Sequence, residues 1–140
     1  MSISNASATW NGDLKTGKGE MKPANGPVAP FSFKTRFEGE KGTNPEEMVG
    51  AALAGCFSMA LSLGLATAGA TDVKIDTDAK VSLDKVEAGF AITSIMLTTK
   101  VSLKGIDAAK FKGIAEETKK NCPVSKALAA TKITLEASLV

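Results

Sequence analysis

The chain has 140 residues, 44% of them hydrophobic, and 17 basic side chains against 15 acidic ones leave a formal charge of +2. That length fits a single domain spanning 1–140 with a real core, and the charge balance rules out a strong field of one sign. Six Phe, one Trp and no Tyr, with the lysines scattered, offer few stacking platforms and no basic stripe, which argues against nucleic acid as a partner.

The chain has no histidine, so the usual general base and the commonest metal ligand are missing. Of its basic residues only Arg36 is an arginine. Lysine serves the surface, and a single arginine marks either compositional drift or a place needing a planar, two-pronged donor. The polar start MSISNASATWNGDLK does not read as a signal peptide. A cytoplasmic location is the default expectation, and there two cysteines are free, redox-active or buried rather than a structural bridge.

Residues 1–36 read as short strands joined by glycine turns. Asn11-Gly12, between SATW and DLK, signals a hairpin, and KPANGPVAP at 22–30 is a Pro/Gly loop. Phe31, Phe33 and Thr35 alternate with Ser32, Lys34 and Arg36, as on a half-buried strand with Arg36 at its end.

The Cys-bearing central helix is placed at 44–70. Asn44 can cap it, Pro45 suits its first position, and Glu46 and Glu47 sit in the first turn where the dipole favours carboxylates. From Met48 to Thr71 nothing is charged, which is long enough to span a bilayer. Much of the run is Ala, Gly and Ser, no basic cluster flanks it, and amphipathic strands follow, so no membrane is expected. A helix apolar on all sides belongs at the centre of a fold. A chain this small covers such a helix poorly alone, so a homodimer is expected.

The remainder, 73–140, reads as strands and helices. Val73, Ile75, Thr77, Ala79, Val81 and Leu83 alternate with polar residues as a long strand with one wet face. The chain turns at 87–89 and returns with Ile95, Leu97, Val101 and Leu103 on one face, with a bulge near Thr93-Ser94. Asp107 opens an amphipathic helix with Phe111, Ile114 and Ala115 inward. Cys122, before Pro123, can cap a further short helix, and Ile133, Leu135, Ala137 and Leu139 mark a closing strand. This order predicts an α+β fold with antiparallel sheets packed on central helices.

Cysteine on an apolar helix is ordinarily packing filler, and that account stands for Cys56 on its own. Cys122 lies at a polar helix junction where backbone N–H groups can lower a thiol pKa. Glu46 and Glu47 are both explained by the helix dipole.

Three segments together resemble the OsmC family (osmotically inducible protein C), which is related to the organic hydroperoxide resistance (Ohr) proteins: TRFEGEKGTNPEEMVGAALAGCFSMALSLGLA, VSLDKVEAGFAIT and NCPVSKAL. The resemblance runs from SATWNGDLKTGKG to the last strand. It implies an intertwined homodimer and a peroxidase that reduces organic hydroperoxides, with Cys56 attacking the peroxide and Cys122 resolving it through a disulfide. It further implies Arg36 as the active-site arginine and Glu46 as its carboxylate partner. No metal, haem or flavin cofactor is implied, only an external dithiol reductant, a lipoyl-type one being a candidate. Close relatives carry a histidine three residues before the first cysteine. This chain has Leu53 there, so any role of that histidine is absent.

The chemistry suits those residue types. A thiolate attacks the distal peroxide oxygen, and a second thiol condenses with the sulfenic acid to a disulfide. Cys56 lies beyond the reach of its helix dipole, and an apolar setting raises a thiol pKa, so a guanidinium is the most suitable activator. Glu46 and Cys56, ten positions apart, are separated by about 15 Å of helical rise. One guanidinium reaches both only if the helix is interrupted or if the site forms between subunits, and the dimer interface is favoured. Leu53, Phe57, Met48 and Met59 are candidates for an apolar pocket beside the thiol, each equally explained as core. The alternatives to a peroxidase are a noncatalytic dimer binding a small apolar ligand and a structural thiol pair.

Overall fold

A computed structural model describes residues 1–140, which divide into two units, Met1–Met48 and Val49–Val140. In the first, β1 (Ala6–Asn11), β2 (Lys18–Pro23) and β3 (Ala29–Ser32) form an antiparallel sheet in that order. The first hairpin is longer than Asn11-Gly12 suggests, because DLK is not strand. Asp13 folds it into a loop, its carboxylate accepting from the backbone N–H groups of Lys15 and Thr16 and from the Thr16 hydroxyl, so pairing resumes at Lys18. Gly19 lets the strands pass beneath the Trp10–Phe31 ring pair, since a Cβ there would meet those rings at 2.6 and 2.7 Å.

The strand expected to end at Arg36 stops at Ser32. Ser32 and Thr35 form a reciprocal capping box that starts α1 (Phe33–Phe37), so the Phe31/Phe33/Thr35 alternation is interrupted by a helix start. Arg36 therefore projects from a short helix, with the Phe33 and Phe37 rings beside it, centroids 4.9 Å apart and tilted by 42°.

Helix α2 (Pro45–Thr67) starts as its sequence signals: the Asn44 side chain accepts from the Glu47 N–H, and Pro45 opens the helix. By length and composition it could cross a membrane. Within the chain it is not packed from every direction. Leu53, Phe57, Leu61 and Leu65, spaced by four, form one fully buried stripe, whereas Met59 and Leu63 are 79% and 70% exposed.

That stripe meets the second sheet, ordered β4 (Thr71–Val86), β5 (Gly89–Lys104) and β6 (Lys132–Leu139). β4 and β5 form a long hairpin across Glu87-Ala88, with the expected bulge at Thr93, where Ser82 pairs Ser94 but Leu83 pairs Ile92. β6 runs parallel to β5, because α3 (Ala108–Asn121) and α4 (Pro123–Ala127) carry the chain back across the sheet before it pairs. Ile95, Leu97 and Val101 of β5 and Phe111 and Ala115 of α3 complete the core. Buried Thr99 bonds to the Thr77 hydroxyl at 2.9 Å, and Ser58 of α2 donates to Thr77 at 2.8 Å, so a chain of hydroxyls ties the central helix to the sheet.

Candidate active site

Arg36 and Glu46 form a forked ion pair at the start of α2. Arg36 Nε donates to both carboxylate oxygens at 3.1 and 3.2 Å, and Nη2 donates to Oε1 at 2.6 Å. Glu46 is only 7% exposed, and its carboxylate also lies in the first helical turn, so two favourable positive partners offset its desolvation. The guanidinium additionally sits 5.2 Å from the centre of the Phe37 ring. The two side chains that the resemblance implied as partners thus pair in the structure, Arg36 reaching Glu46 from a helix rather than a strand end.

The two cysteines meet in the second unit. Both are free thiols, Cys56 half-buried and Cys122 2% exposed. Cys56 packs against the core cluster that contains Cys122, close enough for the Cys122 thiol and the Val124 backbone N–H to act on its ionisation. Close helix contact makes this meeting possible: a Cβ at Gly64 of α2 would come within 2.8 Å of Ile114 of α3, so glycine there lets the two helices approach. Cys122 then ends α3 and caps α4, its sulfur accepting from the Ser125 N–H at 3.4 Å. The Ser125 hydroxyl lies 2.9 Å from the same sulfur.

Burial pushes the Cys56 thiol above its ordinary value of 9.0, and the neighbouring Cys122 thiol pushes it the same way, with the Val124 N–H opposing. Within one chain, then, the surroundings of Cys56 disfavour its thiolate. Helix α2 is uninterrupted from Glu46 to Cys56.

The apolar pocket expected from Leu53, Phe57, Met48 and Met59 does not form. Leu53 and Phe57 face the core with no exposure, and Met59 faces outward, because the helix phase is set by the Leu53–Leu65 stripe. The apolar concavity beside a thiol is instead a groove of about 470 Å³ between α2 and α3, lined by Ala60, Leu63, Gly64, Ile114 and Cys122 among others. Sequence reasoning also missed Ser125, whose signal was its third position in a helix capped by a cysteine. No three potential metal-ligating side chains converge anywhere in the chain.

Comparison with known proteins identifies the family of the chain. A family model described as OsmC-like protein matches residues 38–137. The chain is 58% identical over 134 residues to the Peroxiredoxin OsmC of Escherichia coli (strain K12), covering 94% of this chain and 93% of that one. It is 34% identical over 102 residues to the Organic hydroperoxide resistance protein OhrA of Bacillus subtilis, covering 69% and 68%. Among solved structures, OhrB of Bacillus subtilis superposes with a TM-score of 0.67 at 26% identity, over 97% of this chain and 98% of that one. An OsmC-like protein of unknown function from Vibrio cholerae shares the fold at a TM-score of 0.77 and 18% identity, over 98% and 99%. The chain belongs to the OsmC-like family.

Proposed function

We propose that this protein is a thiol-dependent peroxidase of stress defence that reduces organic hydroperoxides to alcohols. The observation that carries the proposal is that Cys56 and Cys122, far apart in the sequence, pack together as free thiols, close enough for Cys122 to influence the ionisation of Cys56. The names of the OsmC and Ohr relatives support the same chemistry.

The Cys56 thiolate attacks the distal oxygen of ROOH. An S–O bond forms, the O–O bond breaks, and the departing alkoxide takes up a proton as ROH. Cys122 then displaces the sulfenic oxygen as water to leave a Cys56–Cys122 disulfide, which an external dithiol, a lipoyl-type one being a candidate, returns to two thiols. The groove along α2 and α3 takes the alkyl chain, which favours organic over inorganic peroxide.

The active unit is a homodimer. A second subunit covers the outward face of α2 around Met59, a large apolar side chain that one chain leaves bare. It also resolves the activation problem: the guanidinium gripped by Glu46 serves Cys56 of the partner subunit, stabilising the thiolate against burial. The reaction is assigned to the cytoplasm, whose reductants keep both thiols ready.

Replacement of the attacking sulfur is the test. Cys56→Ser abolishes consumption of tert-butyl hydroperoxide in the presence of a dithiol, whereas Cys122→Ser still undergoes the first oxidation and accumulates the sulfenic acid. A Cys56→Ser protein consuming peroxide at the parental rate defeats the proposal. The noncatalytic alternative gives a complex with an apolar ligand and no change at either thiol.

A further inference from the structure

The turn that follows Cys122 serves both sulfurs. Two consecutive backbone N–H groups act on different thiols: that of Val124 lowers the Cys56 pKa, and that of Ser125 donates to the Cys122 sulfur at 3.4 Å. Pro123 at the head of α4 fixes the local backbone, so this pair of donors is preset. The Ser125 hydroxyl adds a second contact to the Cys122 sulfur at 2.9 Å, and Ser125 itself is 5% exposed. Cys122 is as deeply buried, so little water reaches it when charge develops on sulfur, and the donors of Ser125 are what the protein offers in its place.

A hydroxyl is suited to this position because it can take either role. While Cys122 is a thiol, either the S–H or the Ser125 O–H can donate across this contact. When the sulfur becomes the nucleophile, rotation about the C–O bond lets the hydroxyl donate to it. A methyl group can do neither.

We propose that Ser125 is a further catalytic residue of the cycle, its hydroxyl stabilising the Cys122 sulfur as that sulfur attacks the Cys56 sulfenic acid. The inference rests on the peroxidase reading above and assigns Ser125 to the second step alone. In that step Cys122 supplies the electron pair of the new S–S bond. The S–O bond of the sulfenic acid breaks with its pair going to oxygen, and the proton given up by Cys122 completes a water molecule. Cys122 is oxidised and the Cys56 sulfur is reduced from sulfenic acid to disulfide, so no further oxidant or reductant is needed.

Single-turnover oxidation with one equivalent of tert-butyl hydroperoxide, acid-quenched over time and followed by intact mass, separates the two steps. In the parent, the species with one added oxygen gives way to the disulfide. In Ser125→Ala that species forms at the parental rate but resolves on the order of tenfold more slowly or worse, the loss expected for one hydrogen bond to a charged group. It therefore persists and over-oxidises. Ser125→Thr keeps the hydroxyl and resolves like the parent. A purely structural role would instead lower thermal stability and slow both steps. Parental resolution in Ser125→Ala overturns the assignment, as does slow resolution in a folded Ser125→Thr protein, which decides the matter even if the alanine protein fails to fold. If the parent itself forms no disulfide, the peroxidase reading has failed and this one falls with it, whereas a parent disulfide with an indifferent Ser125 removes Ser125 alone.

Discussion

Replacing Arg36 by lysine keeps the charge and removes the fork, which isolates what a planar donor contributes. In the structure the guanidinium makes three contacts to the Glu46 carboxylate, at 3.1, 3.2 and 2.6 Å. One ammonium on a flexible stem retains about one of them. A hydrogen bond to a charged group is worth about 1.5–3 kcal/mol when shielded. The Arg36 side chain is 35% exposed, so solvent screening reduces the net loss to about 1–2 kcal/mol. For a chain of this size the melting temperature should fall by about 3–8 °C. If the transition state loses a similar amount of stabilisation, kcat/KM for tert-butyl hydroperoxide falls on the order of tenfold. Coupled dithiol consumption gives the rate, and thermal melting gives the stability. A lysine protein with parental kcat/KM removes the fork from the mechanism. A protein that loses stability but keeps its rate shows that the pair serves only to fasten Arg36 to α2.

Three further outcomes follow from the same structure. Burial and the Cys122 thiol push Cys56 above 9.0, and a nearby cation pushes an acid the other way, so the pH midpoint for alkylation of Cys56 in a Cys122→Ser background should lie lower with Arg36 present than in Arg36→Ala; equal midpoints would show that Arg36 is not the activator. Thr99→Val breaks the buried hydroxyl chain and should cost about 1–3 kcal/mol by denaturant unfolding, whereas Ser58→Ala, Thr77→Val and Thr99→Val combined should cost less than the sum of the three, since fewer groups are left without partners. Gly64→Ala places a methyl 2.8 Å from Ile114 and should destabilise the chain by about 1–3 kcal/mol and slow disulfide formation, because α3 must move away from α2; an alanine protein with parental stability would mean that the contact is slack.

Much of the site was legible because it is written in local signals. Asn44, Pro45 and the two glutamates marked the start of α2, and Pro123 marked Cys122 as a cap, since both depend only on neighbouring backbone. The break in alternation at Thr93 located the bulge. What escaped depends on competition or on long-range packing. The alternation from Phe31 to Thr35 fits a strand, but the Ser32–Thr35 capping box takes the chain into a helix first. The direction of β6 is set by where α3 and α4 return the chain, which strand alternation does not encode. An all-apolar α2 leaves its own phase undetermined, so the pocket residues were misassigned, with Leu53 and Phe57 claimed by the core. Ser125 went unnoticed because its partner is an atom on a cap that exists only once α4 has formed.

The central claim is that the sulfur of Cys56, once oxidised by a peroxide, passes that oxidation to Cys122. Intact mass and tryptic peptide mapping of the reduced protein after one equivalent of tert-butyl hydroperoxide test it directly. The account predicts loss of two hydrogens and a single cross-linked peptide pair joining residues 56 and 122, reversed by dithiol. An unchanged mass, or an oxygen adduct on Cys56 that persists beside an unmodified Cys122, would contradict it.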